Sequence, residues 1–166
     1  MKILILLSLL VQSTAVFAIN KSILIDVPLS PAGSFQISSK RIKGKVKLSG
    51  SNMSASNITI AIKSLKTGIK LRDNHLQKKL GIEKDPKANL LLVSAEGTDG
   101  KGQGVFKVLG QLQKVSFTYQ KISAKLVQAK FKLSLKRFKI EGVSYMGVGV
   151  EDIVSVKINL PFKTIE

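Results

Sequence analysis

The decapeptide from Thr67 to Leu76, TGIKLRDNHL, holds the side chains of this chain best suited to chemistry: Arg72, Asp73 and His75. A carboxylate two positions from an imidazole outlines a base and its orienting partner, and a serine would complete a hydrolytic triad. No nucleophile-elbow pattern lies nearby, so hydrolysis lacks an activated hydroxyl. A metal centre is no better served, because His75 is the sole histidine, cysteine is absent and the few carboxylates are scattered. Thiolate and disulfide chemistry fall with the missing cysteine. The glycine clusters in GKGQG and GVGVEDIV lack the G-x-G-x-x-G spacing and open no recognisable helix, which excludes a dinucleotide fingerprint. The group reads instead as structural. Asp73 is expected to be the N-cap of a short helix over HLQKKLG, its carboxylate accepting free backbone N–H groups at the positive helix end, with Arg72 and His75 beside it.

The elements that must position this turn are strands. In IKGKVKL, Val46 and Leu48 share a face opposite Lys43, Lys45 and Lys47, as period-two side chains on a half-buried strand do. Ile58, Ile60 and Ile62 alternate in NITIAIK, and Phe131, Leu133 and Leu135 oppose Lys130, Lys132 and Lys136. Val154, Val156 and Ile158 repeat the pattern, and Phe35/Ile37, Leu91/Val93, Phe106/Val108 and Phe117/Tyr119 extend it. The parity changes where Phe138 and Ile140 follow Leu135, which predicts a β-bulge or strand bend. EGTDGKGQG, from Glu96 to Gly104, reads as a glycine-rich hairpin loop before a strand from Val105 to Leu109. Gly147 and Gly149 lead into a strand from Val150 to Leu160, with Glu151 and Asp152 at a rim facing solvent or paired with lysine. The chain is therefore all-β with one short helix. Its apolar faces must pack on a second sheet or close on themselves, and periodicity permits either.

Residues 1–18 have the form of a secretory signal peptide: Lys2, the apolar run Ile3 to Leu10, then small residues ending in Val16-Phe17-Ala18. Cleavage near Ala18 is expected, giving a periplasmic or secreted chain of one domain over residues 19–166. No other segment approaches the ~20 consecutive apolar residues of a membrane helix.

Thr67, Gly68, Arg72, Asp73, His75 and Leu76, with DPKANL at 85–90 and the closing run FKIEGVSYMGVGVEDIVSVKINLPF at 138–162, resemble the YceI-like family of polyisoprenoid-binding proteins. The resemblance implies a lipocalin-like closed antiparallel barrel of about eight strands and a non-enzymatic carrier. It would hold an isoprenoid quinone, a polyprenyl lipid or a similar amphiphile. No cofactor is implied beyond that lipid. On this reading the apolar lumen comprises Phe35, Ile37, Val46, Leu48, Ile58, Ile60, Ile62, Leu91, Val93, Phe106, Val108, Phe117, Tyr119, Phe131, Leu133, Leu135, Val154, Val156 and Ile158. Arg72, Asp73 and His75 stand at the barrel mouth, either near a headgroup or sealing the end as a helix cap.

The net charge is +17, and loss of Lys2 with the leader leaves +16. Such a surface seeks anions, and reversible docking on anionic membrane is the expected use. Nucleic acid is not the expected partner, because Phe117, Tyr119 and Phe131 lie at apolar parity and leave no exposed stacking platform. A competing class of function is a barrel plugged by Phe35, Phe106, Phe117 and Phe131 that acts through its basic surface on envelope polymers or a protein partner. Monomer and homodimer are both compatible with the sequence.

Overall fold

A computed structural model of the chain describes residues 20–145 and 147–166. The expected leader lies outside these residues. The elements in order are β1 (Ser22–Ser30), β2 (Ser34–Ser39), β3 (Ile42–Lys43), β4 (Val46–Ser49), β5 (Asn52–Ala61), α1 (Lys70–Lys79), β6 (Asn89–Thr98), β7 (Lys101–Val108), β8 (Gln111–Lys121), β9 (Leu126–Ser134), β10 (Ser144–Tyr145), β11 (Val148–Val150) and β12 (Ile153–Thr164). Single 3-10 turns occupy Ile62–Ser64 and Lys136–Phe138.

The strands from β4 to β9 pair in antiparallel succession, and β12 joins β9 to β4, so that seven strands among the described residues close into a barrel. β12 pairs antiparallel with β9 from Ile153↔Ser134 to Pro161↔Leu126, and closes the ring by a short parallel pairing of Phe162 with Val46. β1 lies along β12 through Ile23↔Ile158 and Ile25↔Val156 and folds back on itself as the β1–β2 hairpin. Alternation sets the faces: Ile23, Ile25 and Val27 of β1, Ile58 and Ile60 of β5, and Val154, Val156 and Ile158 of β12 are all buried in one core. Closure leaves few unpaired edges on the ring, and the lysines of alternate positions cover its exterior.

Three local expectations are corrected. The Glu96–Gly104 segment is no loop: β6 runs through Thr98 and β7 begins at Lys101, leaving the two-residue turn Asp99-Gly100. Both of these residues have positive φ, as a type I′ hairpin requires, and the Asp-Gly pair adopts that shape readily. The parity change after Leu135 is neither a bulge nor a continuing strand. β9 ends at Ser134, and the 3-10 turn that follows closes on Lys139 with φ +58°, which buries Phe138 and Ile140 by reversing the chain. The Val150–Leu160 strand divides into β11 and β12, with Glu151 and Asp152 between them. Asp152 holds this corner: it accepts the Lys136 backbone N–H at 2.8 Å and the Ser134 hydroxyl at 2.9 Å.

Candidate ligand-binding site

α1 begins earlier than its sequence suggests and is not capped by Asp73. The N-cap position is Ile69, which supplies no side-chain hydrogen bond, and Asp73 lies inside the first turn. Its buried carboxylate turns back onto the preceding loop, accepting the Thr67 N–H at 2.6 Å and the Thr67 hydroxyl at 2.8 Å, with Lys66 Nζ at 3.4 Å. Burial alone would raise the Asp73 carboxyl, but these donors together outweigh it and hold the group below its ordinary value of 3.8. At the other end Gly81, with φ +81°, takes the left-handed position after Leu80 that ends many helices. The helix is thus pinned at both ends across one end of the barrel, with Leu76 and Leu80 directed at the core.

Beneath α1 lies a chamber of about 510 Å³, within the range of ordinary small-molecule sites. Its wall is almost wholly apolar, from Phe35 and Ile37 of β2 to Leu133 of β9, Leu135 and Val154 of β12. It opens between the exposed residues His75, Lys79 and Gly142. Arg72 sits at this mouth. Its guanidinium lies 4.3 Å from the centre of the Phe35 ring and donates to the Thr67 carbonyl at 3.3 Å, yet its Nε is buried and makes no hydrogen bond.

A second space of about 80 Å³ lies deeper in the barrel, and Ile25, Leu90, Val108 and Leu133 line both, so that these four side chains form the neck between the two. Two residues further in from Val108 and Leu133, the Phe106 and Phe131 rings, on the strands either side of β8, stand 4.8 Å apart. Val46, Ile58, Ile60, Leu91, Tyr119, Val156 and Ile158 complete the inner wall with Phe117. The far end is narrowed by rings seated on glycine. A Cβ on Gly102 would lie 2.5 Å from Phe117 Cζ, and one on Gly97 2.8 Å from Tyr119 Cε1. The Tyr119 hydroxyl donates to the Ser51 carbonyl at 2.8 Å, locking its ring in place. The interior is therefore a roomy mouth chamber tapering to a slot smaller than the ~150 Å³ that accommodates benzene.

Most of the lumen residues expected from alternation meet at these two spaces. Leu48 and Ile62 are buried in the surrounding core and line neither. Val93 lines neither as well: the register slips between Leu92 and Ser94, so Leu90 and Leu92, opposite Ile60 and Ile58, carry the inward face, whereas Leu91 opposes Thr59 and only borders the slot. Arg72 and His75 line the mouth, but Asp73 faces the Thr67 loop and does not. Sequence reasoning also passed over β1, although the alternation of Ile23, Ile25 and Val27 announces it, and over Lys79, one helical turn from His75. Among the described residues no three His, Cys, Asp or Glu side chains gather where they could hold a metal ion.

The profile of the YceI-like domain matches residues 11–162. Solved structures of similar shape include a polyisoprenoid binding domain from Saccharophagus degradans implicated in plant cell wall breakdown, at 11% identity, covering 84% of this chain and 91% of that one, with a TM-score of 0.59. BcnA of Burkholderia cenocepacia aligns at 16% identity over 84% of this chain and 95% of its own, with a TM-score of 0.63. The YceI protein of Campylobacter jejuni aligns at 18% identity over 75% and 82%, with a TM-score of 0.53. No curated protein matches the chain. With its barrel, the α1 helix across one end and a domain profile spanning nearly its whole length, the chain belongs to the YceI-like domain family.

Proposed function

We propose that the protein is an exported, non-enzymatic carrier that takes up the tail of an isoprenoid quinone, a polyprenyl lipid or a similar amphiphile. The observation that carries this reading is the largely apolar chamber beneath α1, rimmed by Arg72, whose buried Nε has a donor to offer and no acceptor. A buried donor without a partner costs free energy, and a quinone carbonyl or phosphate oxygen at the mouth would satisfy it. Apolar burial contributes about 0.8 kcal/mol per CH₂ relative to water. A tail arriving from a bilayer gains little of that, so exchange between membrane and barrel is energetically level and therefore feasible. Selectivity then belongs to the neck and to the polar rim, since burial alone scarcely separates tails of similar width.

The lysine exterior supports transient docking on anionic membrane. The outer side of α1 adds apolar anchors, Ile69 and Leu71, each 51% exposed and flanking Lys70. Docking at this end would bring the mouth to the lipid. A second reading has one observation in its favour: the slot beyond Phe106 and Phe131 is too narrow for much of a tail, as in a plugged barrel that works through its surface on envelope polymers or a protein partner. Native mass spectrometry of protein purified from its own envelope, followed by organic extraction, separates the two. A co-purifying prenyl lipid is the expected result; protein that arrives empty and refuses added quinones would favour the surface reading.

A further inference from the structure

The barrel wall has an opening in its side. β8 pairs with β9 only from Phe117↔Phe131 to Lys121↔Val127, while the Gln111–Ser116 half of β8 keeps its pairing to β7 alone and β9 continues along β12 to Ser134. The two strands part, and a cleft of about 890 Å³ lies between them. Lys114, Lys130, Lys132 and Arg137 stand on its rim, and none of its lining residues is acidic. Asp152, bonded to the lining residue Ser134, is engaged by that hydroxyl and by the Lys136 N–H, and Glu96 stands opposite the lining residue Gln103 on β6. Lys130 also opposes Lys157 directly across β9 and β12, an unfavourable like-charge pairing. The cleft contains a second anomaly. Gln113, opposite the inward-facing Phe106, is only 6% exposed, and its Nε2 is buried with no hydrogen-bond partner.

We infer that the β8–β9 seam binds a phosphate-class anion, held by the Gln113 amide from within and by Lys114, Lys132 and Arg137 from the rim. The amide nitrogen offers two donors and the rim offers cationic ones, while a phosphate offers acceptors on every side. Phe117 and Phe131 line both the cleft and the inner slot of the lumen. The anion therefore has two sources: the head of an amphiphile whose tail lies against these rings, which rests on the carrier reading, or a free phosphate, which does not.

The test titrates the whole purified chain with inorganic phosphate, dodecyl phosphate and dodecanol, following the Gln113 side-chain amide by NMR. Both phosphate probes should move this resonance, and dodecanol should leave it in place. The double variant K114Q/K132Q, altered only at exposed positions, should weaken both phosphate probes by about tenfold or more without changing dodecanol. Gln113→Leu, which removes the unpartnered amide while filling the same space, should weaken them too, read by calorimetry. Dodecyl phosphate binding more than about tenfold tighter than phosphate assigns the seam to a lipid head, and equal affinities assign it to a free phosphate. An unmoved Gln113 resonance, or affinities untouched by both variants, overturns the inference. Failure of dodecanol to bind would count against the carrier reading and leave the anion site standing.

Discussion

Asp73 illustrates how a residue that looks catalytic serves the scaffold. It is only 6% exposed, and its oxygens face Thr67 and Lys66 rather than the chamber. Because its folded-state value lies below 3.8, ionised Asp73 favours the native state. That contribution is complete above the ordinary value and is lost as the pH falls through the depressed one. Asp73→Asn keeps an acceptor for Thr67 but gives up the charge, so it should lose about 1 kcal/mol at neutral pH. Thermal melts of variant and parent should converge in acid; a gap that persists at low pH would show that charge is not the source. Arg72 is the counterpart at the mouth. Its two visible attachments leave Nε unused, so Arg72→Met should retain the fold and weaken a headed isoprenoid more than the tail alone, as paired titrations would reveal.

At the level of elements, the strands whose alternation is clean were readable as they stand: Val46/Leu48, Phe131/Leu133 and Val154/Val156/Ile158 all face inward on β4, β9 and β12. Reading failed where backbone geometry overrides composition. The glycines of the β6–β7 hairpin look like loop residues, but Gly97 and Gly102 are strand positions emptied so that Tyr119 and Phe117 can lie against the backbone. The slip after Leu92 inverts a parity that the run LLLV cannot disclose, since all its residues are apolar. The mouth was legible through Arg72 and His75, whereas the cleft was not, because strand divergence leaves no mark in periodicity. Gly102→Ala would place a methyl 2.5 Å from the Glu96 carbonyl oxygen as well as from Phe117, and should cost about 1–3 kcal/mol. An unchanged melting temperature would mean that the ring is not seated there. Phe106→Leu removes half of the pair beyond the neck and should let the slot admit longer tails, shifting the preferred chain length upward in competition assays.

On the scale of the molecule, the carrier reading combines a barrel whose wall parts at the β8–β9 seam, the α1 helix pinned across one end and a basic exterior suited to anionic membrane. Each lysine near an anionic surface is worth about 1 kcal/mol at modest salt, and the interaction decays over a Debye length of roughly 8–10 Å. Sedimentation with anionic vesicles should therefore capture the protein at low salt and release it as salt rises. Ile69→Ser with Leu71→Ser should weaken the capture at every salt concentration; salt-insensitive binding would refute electrostatic docking. The account stands or falls on whether the space under α1 receives a tail. Methyl NMR during titration with a short-chain isoprenoid quinone tests this directly. The account predicts saturable shifts at the neck, in Ile25, Leu90, Val108 and Leu133, whereas shifts confined to exterior methyls such as Ile69, Leu71 and Leu112, with the neck silent, would contradict it.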